Sequence, residues 1–177
     1  MNGPCFECVK AGGGCCLIRQ IVITEKDIER VAAYLGRSDF YSFEFPEDWY
    51  LEPCYDPDWL PLVLRPDGRL KILKRKEDRS CGLLGENGCV LPFHVRPRLC
   101  QLHPYLHTEA GIIGLDQACL ISHVHDVAAY LEDNDMPLEK AVEWQEELYF
   151  ELKKEKQQLL DIRRHFDGKS TRYQERR

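Results

Sequence analysis

No apolar run in this sequence approaches the ~20 residues that cross a bilayer. The N-terminus, MNGPCFECVKAGGG, has neither the basic start nor the apolar core of a secretory leader. Basic residues do not dominate: 24 Lys and Arg stand against 30 Asp and Glu, a net charge of -6. That balance argues against non-specific attraction to nucleic acid or to anionic membrane. Internal repeats are absent, as are a Walker loop, a G-x-S-x-G elbow and an H-E-x-x-H pair. No Gly-rich strand-turn-helix offers a nucleotide or S-adenosylmethionine pocket. The expected location is cytoplasmic.

What remains is 177 residues, 44% hydrophobic and 31% charged. A chain of this length buries roughly 70% of its unfolded surface as one domain, so cross-links are not needed for folding. Yet there are nine cysteines. In a reducing compartment these point to metal ligands or redox groups rather than a disulfide framework. An oxidised, secreted chain is the alternative, and the odd count would then leave one thiol over.

LIRQIVIT reads as a strand. Thr24 then opens a helix with Asp27 three residues on, an approximate capping box, and Ile28, Val31, Ala32 and Leu35 form its apolar stripe before Gly36. Seven aromatics between Phe40 and Asp58 suggest a short helix and a packed irregular loop. LPLVLRPDGRLKILKR predicts a hairpin turning at Pro66-Asp67-Gly68. Further turns are expected at Gly85 to Gly88 and at Glu109 to Gly111. Helices are expected over Ser122 to Glu132 and from Pro137, with Asp135 as N-cap. The second carries Leu138, Ala141, Val142, Leu148, Tyr149, Leu152, Leu159, Ile162 and Phe166.

The fold class is therefore α+β: small antiparallel hairpins and irregular cysteine-rich loops packed with several helices, ending in a long C-terminal helix. One domain is expected over 1–166, cysteine-rich over 5–119 and helical over 122–166, followed by a tail at 167–177.

Two batches of cysteines hold the chemistry. Cys5, Cys8, Cys15 and Cys16 fall within twelve residues, and Cys81, Cys89, Cys100 and Cys119 lie in the middle of the chain. A C-x-x-C turn converges two thiolates on one centre with amides pointed at the sulfurs, and Gly12 to Gly14 let the backbone curl closely around it. The adjacent pair Cys15-Cys16 suits a polynuclear centre or two neighbouring sites better than one zinc ion, which takes four ligands. A [4Fe-4S] cluster meets the same arithmetic. Cys81 and Cys89 flank a turn that brings sulfurs together, whereas Cys54 reads as a small core hydrophobe.

C-x-x-C followed by CC, a cysteine pair around a Gly-containing turn, and then RPRLCQLHP resembles the YkgJ-type cysteine-cluster family, the zinc- or iron-chelating CxxCxxCC domain. The match runs through Cys5, Cys8, Cys15, Cys16, Cys81, Cys89, Arg96, Pro97, Cys100, Pro104 and Cys119. The gap before Cys15 is longer than the family's, and Gln101 stands where arginine is usual. The resemblance implies metal binding by all eight cysteines, Cys100 and Cys119 joining the set on this ground alone. It also implies kinship with the longer flagellin lysine-N-methylase, whose activity does not carry over to this shorter chain.

Arg96 is a candidate to offset thiolate charge at the centre and Arg98 an alternative surface ion pair. Among the histidines His103, three residues after Cys100, is the best candidate ligand, ahead of His94, His107, His123 and His125. The expected cofactor is an iron-sulfur cluster, [4Fe-4S] foremost, or Zn2+. A structural zinc module with a protein partner on the aromatic loop around Trp49 and Trp59 is the first alternative; a cluster-dependent enzyme is the second.

Overall fold

The structure, a computed structural model, describes residues 8, 14–51 and 56–174. Cys5 and Cys54 lie outside the described residues.

Helix α1 (Cys15–Ile18) is a single turn. The segment behind it departs from the expected strand: Leu17 and Ile18 are helical, and Val22 makes a single β-bridge, to Ile72. Thr24 then caps α2 (Glu25–Leu35) as its chemistry requires. Its hydroxyl accepts from the Asp27 N–H at 3.1 Å, the Asp27 carboxylate accepts from the Thr24 N–H at 3.0 Å, and Gly36 closes the helix in the left-handed region at φ 66°.

Strands β1 (Tyr41–Glu44) and β2 (Leu70–Leu73) pair antiparallel, with Tyr41 opposite Leu73 and Glu44 opposite Leu70. On the other edge of β2, Leu73 donates to the Ile21 carbonyl at 2.9 Å and Ile23 donates to that of Lys71 at 3.1 Å. β2 is thus central, which is why all four of its residues are buried.

Between the strands lie α3 (Asp48–Leu51) and α4 (Trp59–Val63). α4 corrects the expectation of a hairpin at Pro66. The turn exists, with Gly68 donating to the Arg65 carbonyl at 3.0 Å, but the run before it is helical and β2 pairs with β1 instead. The apolar residues of α4 pack into the core under the C-terminal helix rather than forming a strand edge.

The two remaining hairpins follow the sequence. β3 (Leu84–Gly85) and β4 (Gly88–Cys89) turn at Glu86-Asn87; β5 (Tyr105–Thr108) and β6 (Gly111–Leu115) turn at Glu109-Ala110 with a bulge at Leu106/His107. α5 (Arg98–Leu102) connects them. The helix expected from Ser122 is broken into a 3-10 turn (Leu120–His123) and α6 (Val127–Asp133), because Asp126 caps the latter by accepting from Ala129 at 3.1 Å.

α7 (Leu138–Gln174) continues past Phe166, where the sequence had ended it. Asp135 is not its cap: it sits at φ 59°, and Pro137 supplies the first carbonyl, to Ala141 at 3.1 Å. The buried face is Ala141, Gln145, Leu148, Tyr149, Glu151 and Leu152, whereas Leu138, Val142 and Ile162 are exposed. The polar members are held: Glu151 accepts from the Thr24 hydroxyl at 2.5 Å, and Gln145 donates to the Thr108 carbonyl at 2.6 Å. No helix among the described residues is long and apolar enough to cross a membrane.

Two hydrophobic clusters result. One gathers Leu70, Ile72, Leu102, Ile121, Leu131 and Met136 beneath α7; the other gathers Ile21, Ile23, Val31, Leu73, Leu83 and Leu91 beneath α2. Leu99 packs against both.

Candidate metal centre

Where the two clusters meet there is a cavity of about 50 Å³, and all seven described cysteines line it: Cys8, Cys15, Cys16, Cys81, Cys89, Cys100 and Cys119. They arrive from separate parts of the fold. Cys15 and Cys16 come from α1, Cys89 from β4, Cys100 from the middle of α5, and Cys119 from the start of the 3-10 turn. Cys81 is set by a bridge to Arg75 and by its own N–H, which donates to the Cys16 carbonyl at 2.7 Å. None of the seven is in a disulfide.

Backbone and thiols approach closely here. A Cβ on Gly14 would sit 3.1 Å from the Cys8 sulfur, and its φ of 113° already excludes most side chains. Beside Cys81, a Cβ on Gly82 would lie 2.7 Å from the Lys74 carbonyl oxygen. Gly14 lines the cavity itself, and Gly82 fixes the backbone next to Cys81.

The thiols are electrostatically unequal. Cys16 is pulled down to about 7, first by a hydrogen bond with Cys15 and then, against the cost of burial, by the Arg96 guanidinium. Burial pushes Cys81 up to about 12 and Cys100 well above the usual thiol range, with neighbouring thiols adding to both shifts. Arg96 lines the cavity, donates from Nε to the Leu91 carbonyl at 3.1 Å and lies over Phe93. Arg98 instead pairs with Glu147 at 2.6 Å.

A tetrahedral zinc at about 2.3 Å from each sulfur needs four sulfurs within about 4 Å of one another. Among the described residues, no three His, Cys, Asp or Glu side chains stand as a group able to hold one metal ion. The donor set fits a thiophilic centre in identity, in number and in backbone cradle, and the side chains stand around the cavity rather than gathered on one point. Cys89 is opposite Leu84 in its hairpin, and its thiol and that of Cys81 line the same cavity, close enough for Cys89 to add to the rise of the Cys81 pKa.

Of the histidines, His103 alone reaches this cavity; burial lowers its pKa. His94 and His125 are exposed, and His123 contacts the Gln117 carbonyl at 2.8 Å. Gln101 is buried and donates to the Phe93 carbonyl at 2.9 Å.

Trp59 opens α4 and is half-buried. It packs edge-on to His107 and Tyr149, with centroids 5.7 and 5.8 Å away. Trp59 and His107, with Asp56, line a larger neighbouring cavity of about 370 Å³. No residue spacing announces it, since its polar members come from distant segments. No protein-family model, curated protein or solved structure matches this chain.

Proposed function

We propose that this chain is a metal-binding protein in which Cys8, Cys15, Cys16, Cys81, Cys89, Cys100 and Cys119, together with Cys5, chelate an iron-sulfur cluster or zinc. The carrying observation is that seven cysteines from distant parts of the sequence, none of them in a disulfide, line one cavity. Scattered cysteines that merely filled a core would have no reason to share a wall. Resemblance to the YkgJ-type family supports the same reading.

Thiols spread around a cavity suit a centre of several metal atoms, so an iron-sulfur cluster is the first choice and a one-electron redox role its corollary. Zinc is the second, favoured by burial of the site, since structural zinc is fully enclosed by protein ligands. Reduced thiols suit the cytoplasm.

Metal and acid-labile sulfide analysis with a visible spectrum, on protein purified without oxygen and without a metal-leaching tag, tests this. Iron with matching sulfide and a brown chromophore establishes the cluster; stoichiometric colourless zinc establishes the structural ion. Protein free of both metals when purified from cells supplied with each would overturn the proposal.

A further inference from the structure

The larger cavity shares Cys15, Ile21, Cys100 and His103 with the cysteine-lined one, so whatever occupies it lies beside the thiols. Its volume of about 370 Å³ is that of a small-molecule site. Three aromatic rings, of Tyr50, Trp59 and Tyr105, line it, together with the polar side chains of Arg19, Asp56 and Asp116. Tyr50 and Tyr105 line it while directing their hydroxyl protons to the backbone carbonyls of Gln20, at 3.0 Å, and Met136, at 2.8 Å.

One polar group on this wall, His107, is arranged differently, through its contact with Tyr149. Tyr149 has a single hydroxyl proton, and it donates that proton to Asp56 Oδ2 at 2.7 Å. Towards His107 Nδ1, 3.4 Å away, the Tyr149 oxygen is therefore an acceptor. The imidazole proton belongs on Nδ1, and Nε2 keeps a bare lone pair. Among the described residues Nε2 has no hydrogen-bond partner, although His107 is only 6% exposed. Trp59 and Tyr149 pack edge-on against the ring and fix its plane.

An acceptor held in this way on a largely apolar wall is complementary to a ligand that brings one donor. We propose that the cavity binds a small organic molecule with a mainly apolar, ring-containing frame and one O–H or N–H group, which hydrogen-bonds to His107 Nε2. Asp56 and Tyr149 position the imidazole through its other nitrogen. Burial holds His107 down to about 4, so the ring is neutral at pH 7 and its lone pair available. Nothing in this recognition requires the metal.

The test is titration of the full chain, as purified, with 4-ethylphenol and with 4-ethylanisole, the same frame with its donor methylated. Imidazole ¹⁵N and Trp59 indole signals report binding. The expected result is saturable shifts at both residues, with the phenol binding about tenfold more tightly than the ether. His107→Phe removes that preference while leaving the apolar wall in place. The wild-type ¹⁵N shifts give the tautomer independently of any variant. A proton on Nε2, equal affinity for the two probes, or no saturable binding would each overturn the proposal. Because the signals come from His107 and Trp59, their failure leaves the metal and sulfide analysis unaffected, and the converse holds.

Discussion

The backbone N–H of Cys81 donates to the carbonyl oxygen of Cys16 at 2.7 Å. Through this bond the N-terminal and central cysteine batches are joined by main chain, independently of any metal. The thiols of both then face one cavity, which makes ligation an addition to an assembled frame rather than its only support.

Cys15→Ser and Cys16→Ser should each lower metal affinity by more than about 10-fold, the loss associated with outer-shell partners alone. Melting temperature should fall with metal content, because ligation free energy contributes to folding. Metal per chain and a thermal melt on each variant decide the matter. Unchanged values in both would separate the vicinal pair from the centre.

Arg96→Gln removes the cation that helps hold Cys16 at about 7. The Cys16 pKa should move up towards the ordinary value of 9.0, though not fully, since the larger cause is the Cys15 hydrogen bond. The pH dependence of iodoacetamide alkylation at Cys16 in metal-free protein reads this directly. Metal affinity should drop by about 10-fold, with Arg96→Lys recovering part of the charge but not the planar fork.

Gly82→Ala places a methyl 2.7 Å from the Lys74 carbonyl, an atom that is backbone and has no rotamer to adopt. The Gly82 N–H also donates to that oxygen at 2.7 Å. The expected cost is about 2 kcal/mol in urea unfolding, the scale of overpacking, and Cys81 should lose its position with it. Wild-type stability would show that the strand can shift without disturbing the bridge.

Local chemistry made some of this legible in advance. Thr24, Asp27 and Gly36 define α2 by capping, and glycines at Gly85, Gly88 and Gly111 mark two hairpins because the turns require them. The run LPLVL was misread since a short apolar stretch looks alike as helix or strand. What decides it is tertiary: Lys156 of α7 donates to the Leu64 carbonyl at 2.6 Å, just past the end of α4. The gathering of seven cysteines at one cavity was readable from their spacing, two close batches with glycines and turns beside them. The Asp56, Tyr149 and His107 arrangement was not, because three residues from a loop, a helix and a strand meet only after folding.

Thr24→Ala should cost about 1–2 kcal/mol for the lost cap. The same hydroxyl is a hydrogen-bond donor to buried Glu151 at 2.5 Å, with Lys26 the carboxylate's ion partner at 3.2 Å. Thr24→Ser keeps both bonds and should stay near wild type in urea unfolding. If alanine and serine behave alike, the α2 to α7 contact rests on packing and not on this hydroxyl.

His107 makes stability depend on pH in a definite direction. Its folded pKa of about 4 lies below the ordinary imidazole value of 6.5, so between these values the unfolded chain binds the proton and the folded chain does not. Stability is therefore at its full value above pH 6.5 and is lost as pH falls towards 4, by about 3 kcal/mol over the window. Asp27 acts with the opposite sign, because burial raises its pKa and favours the protonated folded form as pH drops. The informative quantity is thus the difference between wild type and His107→Phe, measured by urea unfolding at intervals from pH 7.5 to 4. That difference should move in favour of the variant as pH falls. A constant offset at every pH would mean that His107 ionises in the folded chain as readily as in the unfolded one, and that the ring is not sealed from water as its 6% exposure indicates.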